Sequence, residues 1–203
     1  MTMMLQIRSL ERLSSDRYLV TLEDDSFFPL YEKELAGYGI EEGGMLAEAS
    51  YQEILCELLP RRARHKAMYL LQSMDRTEYQ LRRKLQECSY PEEVIEDAVQ
   101  YVKGFHYIDD VRYARNYVEF RKERKSLKQL EQELYQKGVS REDFEEAVSE
   151  LEVPEEEEQI LAWIEKKQFH PETADQKETD RFLRFLLRKG YRISSIKQAF
   201  QKL

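Results

Sequence analysis

The sequence predicts a mainly α-helical chain: three tandem three-helix repeats forming an elongated array, preceded by a small β-hairpin-containing N-terminal module. Three observations lead there. Leucines recur four residues apart, the spacing that stacks side chains on one helical face. Three segments align with one another at offsets of 49 and 52 residues. The front end follows neither pattern; it alternates in strand fashion and holds four of the seven glycines (Gly37, Gly39, Gly43 and Gly44).

The front module is expected over 1–48. Residues 17–23 alternate apolar and polar, Asp24-Asp25-Ser26 is turn chemistry, and 26–31 can pair back as a second strand. Leu5, Ile7 and Leu10 suggest a preceding strand. Pro29 must then lie at a sheet edge or strand end, because it has no N–H for a ladder. A short helix is expected near 32–36. A connecting helix follows within 46–59, with Pro60 interrupting it.

Repeats are expected over 61–108, 109–152 and 153–203. Leu81, Leu130 and Phe182 correspond, as do Leu85, Leu134 and Leu186. Ser89, Gly138 and Gly190 follow those helices, where a left-handed residue closes a last turn at low cost. The next helix repeats Ile95, Phe144 and Ile196, then Ala98, Ala147 and Ala199, then Val102, Leu151 and Leu203. One further helix opens each unit, near 61–73, 110–122 and 154–167. Pro91 and Pro154 suit first-turn positions, and Ser140 with Asp143 suits a helix start. A single unit would leave an apolar face open, so neighbours should pack.

Composition argues against several classes. With 41% hydrophobic and 35% charged residues, the chain can bury a core yet keeps much solvated surface. Two cysteines make no disulfide framework, and no apolar run approaches a membrane span, so a cytoplasmic protein without a signal peptide is expected. Cys56 and Cys88 read as small core residues. His65, His106 and His170 are scattered, and no clustered Cys/His set suggests zinc. No phosphate-binding glycine loop or nucleophile elbow occurs. Neither an enzyme nor a cofactor is expected. Asp109-Asp110 reads as the cap of a helix starting near Asp110, in preference to a metal site, which needs more oxygen ligands. Tyr113, Tyr117 and Phe120 recur at helical spacing and read as core packing rather than a base-stacking platform.

Charge is the informative polar feature. The net charge of −8 hides blocks: 61–84 carries +6, 139–158 carries −9 and 181–203 carries +7. Local fields rather than totals steer partners. Three basic clusters stand out as candidate partner or nucleic-acid contacts. They are Arg61, Arg62, Arg64 and Lys66; then Arg82, Arg83 and Lys84, with Arg184 in the repeat position of Arg83 and Arg188 nearby; then Arg121, Arg124, Lys125 and Lys128.

The run Gly104-Phe105-His106-Tyr107-Ile108-Asp109-Asp110, continuing through Tyr113 and Ala114, resembles the central signature of the RecX family. Leu130 and Leu134 followed by Lys137-Gly138-Val139 are similar to a further element of that family, and 67–85 resembles its upstream segment. Tyr107, Ile108, Asp109, Asp110, Ala114, Lys137 and Gly138 carry the likeness and are expected to be structural. The resemblance implies a regulator in DNA repair, homologous recombination and the SOS response. It would bind RecA and its nucleoprotein filament, inhibiting recombinase, ATPase and coprotease activities. A monomer is expected, with weak DNA binding of its own at most. The alternatives are a direct DNA-binding helical repeat protein and a scaffold for another protein partner.

Overall fold

The computed structural model describes residues 3–202. The chain divides into two compact units, Met1–Asp109 and Asp110–Leu203.

The first unit opens with an antiparallel sheet in the order β3-β2-β1-β4, formed by β1 (Met4–Arg12), β2 (Arg17–Leu22), β3 (Phe27–Tyr31) and β4 (Met45–Ala47). The three expected strands are present. β4, only three residues long, pairs Leu46 with Leu5 and was not legible at that length. Pro29 lies in β3, an edge strand, opposite Leu19. Helix α1 (Glu32–Tyr38) follows directly, with the Tyr31 N–H held by Glu34 at 2.8 Å.

Pro60 does not interrupt the next helix. Residues 48–73 run without a break through α2 (Glu48–Glu53), a π turn (Ile54–Leu58) and α3 (Leu59–Ser73). A proline cannot donate to the i−4 carbonyl and its ring crowds that carbonyl. The wider turn just before Pro60, where the Leu59 N–H reaches back to Ile54, is the type of local adjustment that absorbs such a conflict. It also settles Cys56, which is exposed rather than in the core, its thiol 3.6 Å from Gln52 Oε1. Ile54 and Leu59 take the inward positions instead. Cys88 is half-buried against the core, as expected.

The first repeat is α3 with α4 (Glu78–Gln86) and α5 (Glu92–Gly104). It shares one core with the sheet, continuous from Ile7 and Phe28 through Leu59 and Leu85 to Ile108. The second unit carries α6 (Asp110–Glu119), α7 (Leu127–Gln136) and α8 (Arg141–Ser149), then α9 (Glu156–Lys167), α10 (Gln176–Arg188) and α11 (Ile193–Gln201). Its two triplets have separate cores, one around Leu130 and Leu134, the other around Phe182 and Leu186.

The repeat correspondence holds at the buried positions except Leu151, which is only half-buried beyond the end of α8 where its counterpart Val102 is fully buried. Leu81, Leu130 and Phe182 are buried, as are Leu85, Leu134 and Leu186, and Ile95, Phe144 and Ile196. Ala98, Ala147 and Ala199 are each fully buried where helices cross closely. Leu203, counterpart of Val102 and Leu151, lies outside the described residues. Ser89, Gly138 and Gly190 all adopt positive φ, at 59°, 88° and 86°. The residues that follow, Tyr90, Val139 and Tyr191, are all buried.

The middle helix of each triplet begins in the same way. Thr77, Ser126 and Asp175 accept from the backbone N–H three residues on, at Gln80, Gln129 and Glu178. These caps are spaced 49 and 49 residues, whereas the buried positions are spaced 49 and 52. Helix α10 therefore carries three extra residues at its start. Some details differ from expectation. Pro91 is the N-cap of α5 rather than a first-turn residue, and Pro154 precedes the Glu155 cap of α9. Phe120 is 83% exposed, because the buried face of α6 runs through Ala114 and Val118 and the helix ends at Glu119. Tyr113 and Tyr117 are half-buried against that face, as expected.

The two triplets of the second unit are joined by polar groups withdrawn from water. Ser126 is fully buried. Its hydroxyl donates to the Lys189 carbonyl at 2.5 Å while accepting from Gln129 N–H at 3.2 Å. Buried Gln159 donates its amide to the Lys122 carbonyl at 2.5 Å. A β-carbon at Gly190 would lie 2.8 Å from Ser126 Oγ and 3.2 Å from Lys128 Cβ. Gly190→Ala should thus be more destabilising than Gly39→Ala, whose φ of 63° is similar but whose side-chain direction is empty. Strain from the left-handed backbone alone costs roughly 1–2 kcal/mol. Denaturant melts should show the Gly190 variant losing clearly more than the Gly39 variant. Equal losses would show that Ser126 is not a close neighbour.

Candidate interaction surface

The basic clusters separate into cations that hold the fold and cations that do not. On α3, Arg62 pairs with Glu34, lies over the Tyr31 ring at 4.6 Å and is within 3.5 Å of the Pro29 carbonyl. It ties the helix to the sheet module. Arg64 grips Asp97 of α5 with two bonds of 2.7 and 2.6 Å and lies 5.1 Å from the Tyr101 ring centre. Lys66 covers Tyr69 at 5.5 Å. Arg61 is exposed, with no ion pair among the described residues.

On α4, Arg82 is the centre of a network rather than a free contact. It meets Glu78 at 2.8 Å, Glu96 at 2.6 Å and Glu92 at 3.5 Å, and Lys103 adds a second cation on Glu78 at 2.7 Å. Lys84 pairs with Glu87 at 2.6 Å. Arg83 alone of the three is exposed without an ion pair.

The middle cluster encircles Tyr117. Arg121 lies 3.9 Å from its ring centre and Lys137 5.6 Å. The phenol donates to Glu133 at 2.8 Å, and Lys125 closes on the same carboxylate at 2.6 Å. Burial first, then the hydrogen bond to an anion, pushes the Tyr117 hydroxyl up to about 12. Arg124 and Lys128 remain exposed, as do Arg184 and Arg188 on α10, without ion pairs among the described residues.

The signature residues lie at the join of the units and within the second one. Ile108 and Ala114 are buried, Tyr107 is half-exposed against Phe105 at 6.0 Å, and Asp110 is the first residue of α6. Asp109 ends the first unit, Lys137 caps α7, and Gly138 supplies its left-handed turn. No group of three or more His, Cys, Asp or Glu side chains able to hold a metal occurs among the described residues. No described helix is long and apolar enough to cross a membrane.

Sequence reasoning identified the clusters but not which members were already partnered, since the partners come from other helices. It also passed over Lys177 and Arg181. Their spacing of seven and three residues from Arg184 was the available signal.

These features define a protein of tandem three-helix repeats that presents selected cations on its helix surfaces. Models of the first, second and third three-helix domains of RecX match residues 63–101, 109–148 and 155–200. The chain belongs to the RecX family. It is similar to the regulatory protein RecX of Cronobacter sakazakii, with 31% identity over 72% of this chain and 98% of that one. The RecX of Trichlorobacter lovleyi is 33% identical over 67% and 92%, and that of Caldanaerobacter subterraneus 28% over 97% and 98%. Among solved structures, a regulatory protein RecX superposes with a TM-score of 0.63 at 24% identity, covering 96% of this chain and 99% of that one. RecX from Lactobacillus salivarius gives 0.62 at 20%, covering 71% and 96%. Both show the same fold.

The Arg82 network makes a pH prediction. Burial alone would push the Glu78 carboxyl up, but hydrogen bonds from Lys103 and Arg82 outweigh it and hold it below its ordinary 4.5; Glu96 is lowered too, by Gln100 and Arg82. Stability from a lowered carboxyl is present above its unfolded pKa and lost as pH falls through the folded value. Arg82→Met should cost about 2 kcal/mol near neutrality, between typical exposed and buried pairs. Its thermal stability should also fall less steeply than the wild type's on acidification below about pH 4.5. Parallel pH profiles would rule out the network as a source of acid sensitivity.

Proposed function

We propose that this protein is a regulator that binds RecA and its nucleoprotein filament and lowers recombinase, ATPase and coprotease activity by binding alone. The reading rests on one observation above others: all three repeats, not just one, match RecX domains. A role in DNA repair and recombination fits that family. Repeated units are suited to a partner that is itself repetitive, because successive equivalent surfaces can meet successive subunits. The contacts fall to the exposed cations left without ion pairs, Arg61, Arg83, Arg124, Lys128, Arg184 and Arg188. Arg62, Arg64 and Arg82 are left out of the proposed contacts because their charge is already paired with Glu34, Asp97 and Glu78.

The test is a titration of RecA on single-stranded DNA. Stoichiometric protein should lower the ATPase rate and shorten filaments. Charge reversal at Arg83, Arg184 and Arg188 should weaken inhibition about tenfold or more, at up to ~1 kcal/mol per rim charge, while leaving the melting curve unchanged. An unaltered ATPase rate at stoichiometric wild-type protein would refute the reading.

A further inference from the structure

Helix α10 differs from its two counterparts. Lys177, Arg181, Arg184 and Arg188 follow one another at intervals of four, three and four residues, and all are exposed. That spacing places them along one face, over a run of about 16 Å. None has an ion-pair partner among the described residues. On α4 the matching helix spends Arg82 and Lys84 on Glu78, Glu96 and Glu87, and on α7 Lys128 is the one exposed cation. The opposite face of α10 is fixed in the core by Phe182 and Leu186, so the cationic face is held on a rigid support.

Beside this stripe lies a cleft of about 530 Å³, between α10 and the segment that follows α9. Phe169, Phe182 and Phe185 line it; Phe182 is a buried core ring stacked on Phe169 at 4.2 Å, so the half-buried Phe169 and Phe185 are the rings the cleft offers a ligand. Lys167, Arg181 and Arg188 also line it, so two cations belong both to the stripe and to the cleft. Its one carboxylate, Glu178, is engaged with the Asp175 N–H at 3.3 Å.

We propose that this face of the third repeat is a binding site for single-stranded nucleic acid. The regular row of cations meets successive phosphates, where arginine forms paired charge-assisted hydrogen bonds. The aromatic cleft receives an unpaired base by stacking, which every base permits. A duplex keeps its bases stacked internally and has nothing to offer the cleft. An acidic protein surface would meet the charges but leave the phenylalanines without a planar partner. The site requires no RecA, so its failure and the failure of the regulatory reading are separate results.

The experiment is fluorescence anisotropy of a short labelled oligodeoxythymidylate with the full chain alone, over a range of salt. Four phosphate contacts give a log–log salt slope of about −2.8, at roughly −0.7 per single-strand contact. Arg181→Ala with Arg188→Ala should weaken binding about tenfold and reduce the slope by roughly 1.4. Arg61→Ala with Arg83→Ala should leave both unchanged. An abasic strand of the same length, and a duplex, should bind more weakly than the oligothymidylate. The proposal is overturned by absent binding at low salt, by binding indifferent to the Arg181/Arg188 pair in a variant with unchanged circular dichroism, or by equal affinity for the abasic strand or the duplex.

Discussion

A left-handed residue after the middle helix of each triplet is the constraint on which the architecture depends. At Ser89, Gly138 and Gly190 the chain reverses its backbone twist once, which ends the helix and delivers the next residue into the core. Tyr90, Val139 and Tyr191 are buried by that reversal, and the third helix starts within a few residues. Without it the leucine face of the middle helix and the alanine face of the third could not close on each other. Two of the positions use glycine, which adopts this conformation freely; serine does so at some cost.

The electrostatics follow from this packing. Once three helices close, cations and carboxylates on neighbouring helices come within reach, and much of the basic character of the sequence is used internally. Arg64 joins α3 to α5, Arg82 joins α4 to α5, and Lys125 closes on the Tyr117–Glu133 pair. The exposed cations left without ion pairs among the described residues are a smaller set, densest on α10, where Asp175, Glu178 and Asp180 lie beside them. A protein with a net charge of −8 can in this way present a locally cationic face.

Much of this was legible beforehand. The three triplets, their buried positions and their turn residues followed from leucine spacing and from glycine placement, because both are local constraints with one solution. The hairpin followed from alternation and from Asp24-Asp25-Ser26. Less was legible where a tertiary neighbour decides the outcome. β4 exists because β1 offers an edge at Leu5, not because three residues prefer extended backbone. Pro60 is carried inside a helix by a π turn that no propensity specifies. Phe120 has the right spacing for burial but falls past the end of α6. Arg82 and Arg83 are adjacent and chemically identical, yet one is locked by three carboxylates and the other is exposed. Thr77, Ser126 and Asp175 formed a readable series of caps that would have revealed the longer start of α10.

The Ser126 hydroxyl has a consequence for modularity. Because one buried oxygen both starts α7 and holds the carbonyl at the end of α10, the second triplet is completed by an atom of the third. Deleting the last triplet is therefore not the removal of a bead from a string: it strands the Ser126 donor that has lost its acceptor and uncovers the Lys122 carbonyl that Gln159 holds. The two triplets should unfold as one cooperative block, and shuffling or duplicating them as independent cassettes would require a new serine–carbonyl seam at every junction.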